Sequence, residues 1–319
     1  MYLTWGVLVG VGVSAGAMGM AAAVANRWFT VRRSFAMGLL MAANAAGQLI
    51  FLPVLGRFAE QYGWQSVSLT VTVIVAALLP LVMLLLPESP ARIGLSPLGG
   101  GAESAAQGGK TGTRAGNPFM LTLAGLWRGM QSVDFWLIAG VFAICGWSTM
   151  GLVGTHFITY CVDHGHSQAM SASLLGTLGI SSLLGSIFSG WLTDRWDPRL
   201  MLFWIFVLRG VSLMSLPYIE ADVVSLTIFA IFNGVEWVAT VPPILALLNQ
   251  VFGKRDAPVL VAWIYAIHQI GSALAAIGAG VLRGYTGSYT LAYVASGVAC
   301  LLASCLVMRV VRAPAMAEA

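Results

Sequence analysis

The chain has 319 residues, of which 58% are hydrophobic and only 9% charged, with a mean hydropathy of +0.85. A soluble domain carries about 25% charged residues, so this composition excludes a water-soluble enzyme, a nucleic-acid binder and a disordered segment. The net charge of +4 does not reinstate nucleic acid as a partner, because 16 basic residues spread along a lipid-soluble chain act as orientation signals.

A helix needs about 20 apolar residues to cross the hydrocarbon layer. Runs of that kind predict nine transmembrane helices, at 3–25, 34–56, 67–86, 134–158, 170–192, 199–218, 223–248, 257–281 and 288–308. Gly and Ser are frequent inside them, as in helices that pack closely in lipid. No stretch alternates in the manner of a membrane β-strand, so the expected fold class is an all-α membrane protein, a helical bundle. Residues 88–133 form a polar connector whose stretch from Gly99 to Gly109 is Gly-rich, the composition of a flexible linker. Leu121 to Met130 is expected to form a short interfacial helix. The chain thus divides into a three-helix block at 1–87, a linker at 88–133 and a six-helix block at 134–312. Cys145, Cys300 and Cys305 lie inside apolar runs and Cys161 ends one. That spacing suits neither a disulfide framework nor a metal site, and no cofactor is expected.

The basic residues orient the spans. Under strict alternation only Arg57 and Arg283 fall on one side, Arg209 lies inside a span, and every other Lys and Arg falls on the opposite side. The positive-inside rule makes that opposite side cytoplasmic, with the carboxyl terminus inside. Nine spans then leave Met1 outside. A cleaved leader is one explanation, since Ala21-Ala22-Ala23-Val24-Ala25 looks like a cleavage site, but the segment has no basic n-region and too long an apolar stretch.

The first and last trios of spans match each other. Trp28-Phe29-Thr30-Val31-Arg32-Arg33 parallels Val251-Phe252-Gly253-Lys254-Arg255, and Gly47, Gly56 and Gly63 stand in register with Gly271, Gly280 and Gly287. Parallel repeats related by an axis along the membrane normal characterise one transporter architecture. The connection Gly190-Trp191-Leu192-Thr193-Asp194-Arg195-Trp196-Asp197-Pro198-Arg199 resembles the cytoplasmic signature of the major facilitator superfamily, with Asp197 and Pro198 standing where a Gly and a basic residue are usual. Gly10-Val11-Gly12, Asn26-Arg27-Trp28-Phe29, Arg32 through Gly38, Gly63-Trp64 and Thr240-Val241-Pro242-Pro243 through His268-Gln269-Ile270-Gly271 look like its monocarboxylate and oxalate–formate branch. That resemblance implies twelve helices in two sixes. The six-helix block then matches helices seven to twelve and the first block helices four to six, so three further helices, about 90 residues, are expected upstream of Met1. A start placed too late, or a fragment, is the expected reason; a natural nine-helix protein is the alternative.

An ionisable group at the centre of a span costs roughly 2.5–3.5 kcal/mol on insertion scales, so each asks for a reason. Glu236 lies midway along the seventh run, His268 and Gln269 midway along the eighth, and Asn44 and Gln48 at similar depth in the second. The resemblance places these helices around a central cavity, making the five residues a substrate or proton site near the midplane. A structural reading stands beside it: a protonated acid bonded to a neighbouring carbonyl, a hydrogen-bonded packing histidine, and amides joining helices. Arg209 is either an anion-binding cation or the partner of a carboxylate. Pro242-Pro243 should break the helical ladder beyond Glu236. The resemblance assigns Gly190, Asp194, Arg195 and Arg199 to a gate motif at the cytoplasmic face, with Asp194 and Arg195 as a charge latch. His156, His164 and His166 are expected at the opposite, solvated end.

These readings converge on a non-enzymatic secondary transporter working by alternating access in a plasma (inner) membrane, monomeric and in contact with lipid. Its expected cargo is a small organic solute, favoured to be an organic anion such as a monocarboxylate, with a proton as an optional co-substrate. No nucleotide-binding motif is present to support ATP-driven pumping. The rival class is a non-transporting sensor or an inactive truncated paralogue.

Overall fold

In hydrocarbon a backbone can satisfy its own polar groups only as a helix or a closed barrel, and the computed structural model of this chain is helical. It describes residues 28–29, 33–85, 87, 90–95, 98, 125–193 and 195–311. The helices are α1 (Arg33–Leu85), α2 (Val133–Gly146), α3 (Gly154–Asp163), α4 (Gln168–Thr193), α5 (Pro198–Ser215), α6 (Val223–Trp237), α7 (Val241–Thr286) and α8 (Thr290–Val307). A π-helical segment, Trp147–Val153, joins α2 to α3. Among the described residues the sole β feature is an isolated bridge between Phe29 and Leu98.

Seven helical stretches among the described residues are long and apolar enough to cross a bilayer, at Val54–Leu85, Val133–Asp163, Gln168–Thr193, Pro198–Tyr218, Val223–Gly253, Val259–Thr286 and Thr290–Val307. They correspond to the last seven of the expected runs. The run at 3–25 lies outside the described residues, and 34–56 is the first part of α1. Two breaks come from glycine: Gly63 inside α1 (φ 78°, ψ 166°) and Gly253 inside α7 (φ 72°, ψ 164°). A Cβ makes such a conformation costly for any other residue. Gly287, the repeat partner expected for Gly63, also lies at positive φ, 71°. Within the connector, residues 125–130 are helical, the later part of the helix expected over Leu121–Met130.

The described residues fall in two compact units, one drawn from Met1–Asn44 and Tyr62–Ala115, the other from Ala45–Gln61 and Gly116–Ala319. In the second unit three helix pairs approach at glycine. A Cβ on Gly185 of α4 would overlap the Val235 carbonyl of α6, and one on Gly271 of α7 would overlap the Ala143 carbonyl of α2. On the third pair, Gly210 of α5 faces Gly297 of α8. Small residues let backbones meet where no hydrophobic gain drives association. The polarity of this unit is inverted relative to a soluble protein: Arg209, Asn233 and Glu236 are buried, while Leu184, Ile187 and Ile277 are 66%, 71% and 67% exposed.

Candidate functional site

The site begins with two missing N–H groups. In an unbroken helix Pro242 and Pro243 would donate to the carbonyls of Val238 and Ala239, and neither can. The chain answers by ending α6 at Trp237 and starting α7 at Val241. Val241 N–H instead donates to the Val238 carbonyl at 3.0 Å, and Ser189 of α4 donates its hydroxyl to the Ala239 carbonyl at 2.5 Å. The break therefore falls beyond Glu236, as expected from the prolines, and begins one residue after it.

Into this break α5 sends Arg209, which is 1% exposed. Its Nη2 donates to the Glu236 carbonyl at 2.5 Å, and its Nε stands 3.6 Å from Glu236 Oε2. The carboxylate oxygens of Glu236 are buried without a hydrogen-bond partner among the described residues, so the contact with Arg209 is ionic. Arg209 Nη1 also donates to Cys145 Sγ at 3.3 Å. Cys145, from α2, meets the Thr240 hydroxyl at 3.3 Å, and its neighbour Gly146 packs against His268 of α7. His268 Nδ1 lies 3.0 Å from the Phe142 carbonyl. Since a carbonyl only accepts, Nδ1 carries a proton and donates it there.

Four helices thus bring Glu236, Arg209 and His268 into one network, with Cys145 in the middle. Gln269, the neighbour of His268, is exposed. Asn44 and Gln48 lie on α1, but their side chains lie outside the described residues. Sequence reasoning did not single out Cys145, Thr240 or Ser189. A hydroxyl immediately before Val-Pro-Pro was the available signal for Thr240, since a proline-broken helix needs local polar partners.

The π-helical segment starts two residues after Cys145. Its wide turn shows in the Gly154 N–H reaching the Thr149 carbonyl and the Thr155 hydroxyl reaching the Met150 carbonyl at 2.9 Å. Ser148 and Thr149 both turn their hydroxyls onto the Cys145 carbonyl, at 3.1 and 2.7 Å. Such bulges are frequent at functional sites. The spacing Gly146, Gly151 and Gly154 around Ser148-Thr149 was its trace in the sequence.

At the expected gate, Gly190 lies in α4 with open space at its Cα, and Asp194 lies outside the described residues. Arg195 donates to the Trp191 carbonyl at 3.0 Å and stacks 4.3 Å above the Trp191 ring. Arg199 is paired to Asp197 at 2.9 Å and donates to the Val310 carbonyl at 3.0 Å. Asp197 and Pro198, the departures from the signature, serve as N-cap and first residue of α5, with Asp197 accepting from the Arg199 N–H. At the opposite end, Arg283 forms two bonds to Asp163, at 2.8 and 2.6 Å. The expected solvated histidines are all engaged there. His156 meets the Tyr289 hydroxyl at 3.1 Å and the Ala276 carbonyl at 2.9 Å, while His164 and His166 meet the carbonyls of Tyr160 and Ala221.

These features define a class of protein, an integral multi-pass helical membrane bundle with an ionic pair buried at a broken helix. The chain belongs to the Major Facilitator Superfamily, whose family model matches residues 1–238 and 159–318. It is similar to monocarboxylate transporter 13 of Rattus norvegicus, 27% identical over 88% of this chain and 60% of the relative. It is also similar to monocarboxylate transporter 12 of Rattus norvegicus, 24% identical over 96% of this chain and 65% of the relative. A bacterial relative, the uncharacterized MFS-type transporter YcxA of Bacillus subtilis, is 25% identical over 90% of this chain and 66% of its own length. The chain spans less than two thirds of the length of the two monocarboxylate transporters.

Proposed function

We propose that the protein moves a small organic anion of the monocarboxylate class across a membrane by alternating access, coupled to a proton. The buried Arg209–Glu236 pair carries this reading. A charge pair placed within an apolar bundle costs desolvation energy that stability alone does not demand, because apolar residues of similar volume often serve as well or better. At a helix break it sits where a change of charge can change the backbone. With Glu236 ionised the pair is closed. A proton on Glu236 leaves Arg209 as an uncompensated cation, which an anionic substrate would satisfy. His268 is the second proton group. Gln269, Asn44 and Gln48 are the proposed cavity amides, and Gly190, Asp194, Arg195 and Arg199 the proposed gate on the cytoplasmic side. The relatives named as monocarboxylate transporters support the substrate class, and the basic asymmetry of the loops supports a cytoplasmic carboxyl terminus.

The test is uptake of radiolabelled two- to four-carbon monocarboxylates by full-chain protein in proteoliposomes, with and without an inward proton gradient. Gradient-driven accumulation is expected in the wild type and lost in Glu236→Gln, while exchange of labelled for unlabelled substrate survives and shows that the variant is folded. Accumulation that follows the gradient equally in both proteins would refute the proton role.

A further inference from the structure

Within the unit that holds the ionic pair, α4, α5 and α6 leave a groove of about 250 Å³. Its walls are Phe188, Leu192, Trp196, Trp204, Ile205 and Leu208, and its deep end reaches Gly185 and Glu236. The Glu236 oxygens are buried behind this surface, so what the groove offers a ligand is hydrocarbon. Phe188, Trp196, Trp204 and Leu208 are 59%, 59%, 56% and 45% exposed, which opens it sideways from the bundle. From Met201 to Leu208, both of which line it, α5 rises about 10 Å, so the groove is a channel running with the helices. A cavity of about 150 Å³ accepts benzene; this one has room for a longer hydrocarbon segment.

The mouth has a different chemistry. Trp196 lines it at the turn between α4 and α5, and its chain neighbour Arg195 holds its guanidinium 4.3 Å from the centre of the Trp191 ring. Tryptophan at a helix end with a basic residue is the arrangement that meets lipid headgroups, and this turn lies on the side of the chain that carries nearly all the basic residues.

We infer that the groove between α4, α5 and α6 is a site for one phosphate-bearing diacyl lipid, an acyl chain filling the channel and the phosphate meeting Arg195. The occupant is a lipid because the walls belong to two spans long and apolar enough to cross a bilayer, with Phe188, Trp204 and Leu208 exposed, and because the Arg195 cation next to Trp196 complements a phosphate. The acyl chain would pack against Val235, Glu236 and Ala239, the wall of the helix break, and so tie lipid occupancy to the region where α6 ends.

Native mass spectrometry of the full chain released from detergent tests this, with phosphatidylglycerol and diacylglycerol as the added probes. The wild type should retain one phosphatidylglycerol. Arg195→Gln should weaken that retention about fivefold, the worth of one basic residue at a charged surface, and Arg195→Lys should keep it. Diacylglycerol, lacking the phosphate, should bind more weakly and respond equally little to either Arg195 variant. Leu192→Trp, which fills the channel, should abolish retention of both. The inference is overturned if Arg195→Gln or a folded Leu192→Trp retains phosphatidylglycerol as the wild type does, or if the wild type emerges as a lipid-free dimer, a second copy then covering the groove. Should Leu192→Trp fail to fold, the contrast between the Arg195 variants decides alone.

Discussion

Arg209→Met is the most informative single perturbation. The guanidinium is the ionic partner of Glu236, a donor to the Glu236 carbonyl and a donor to Cys145. Removing it strands a carboxylate whose oxygens have no hydrogen-bond partner among the described residues. Breaking a buried pair in this way costs about 3–5 kcal/mol, and the lost bond to the carbonyl is part of that figure. For a protein of this size each kcal/mol moves Tm by about 2–4 °C, so the variant should melt roughly 6–20 °C lower. Glu236→Gln alone should also destabilise, by leaving Arg209 unpaired. In the double variant no uncompensated charge remains, and more than half of the loss should be recovered. The measurement is thermal unfolding in detergent followed by tryptophan fluorescence, run as a double-mutant cycle in which the double variant melts above Arg209→Met. A single Arg209→Met variant that melts within about 2 °C of the wild type, or additive effects of the two substitutions, would refute the ionic contact as the organising interaction of the site.

Gly185→Ala places a methyl group against the Val235 backbone carbonyl, which cannot rotate away; a loss of about 1–3 kcal/mol is expected, read as lower Tm and lower folded yield. Asp222 caps α6 by accepting from the N–H groups of Val224 and Ser225, and bonding from Ser225 holds its carboxyl below the ordinary value of 3.8. Because the folded state lowers this pKa, the capping stabilisation is complete above 3.8 and is lost as pH falls through the lower folded value. Asp222→Asn should therefore flatten the pH dependence of Tm in that acid window and leave it unchanged near neutrality. Asp163→Asn removes an exposed pair with Arg283, each side chain 30–40% accessible. Its effect should stay below about 1 kcal/mol and shrink further in high salt, as a Tm series against ionic strength would show.

The helical class and the six spans from 134 onward were legible because each follows from local chemistry: a backbone in hydrocarbon closes its own bonds. The residues that belong to the network were partly legible for the same reason. Arg209, Glu236 and His268 stood out as charges that hydrocarbon penalises wherever they lie. Cys145, Thr240 and Ser189 did not, because a thiol and two hydroxyls cost little in an apolar run and declare nothing until a partner arrives.

Composition and order of residues alone determined that this chain is a helical membrane bundle carrying charge inside its spans, since burial of a charge and satisfaction of a backbone are penalties each residue brings with it. Only the tertiary structure decided that Arg209 meets Glu236, that Ser189 repairs the break left by two prolines, and that α4, α5 and α6 leave a channel between them. Those outcomes depend on which helices touch, and close contact at Gly185, Gly271 and Gly210 is a property of pairs of surfaces rather than of any one span.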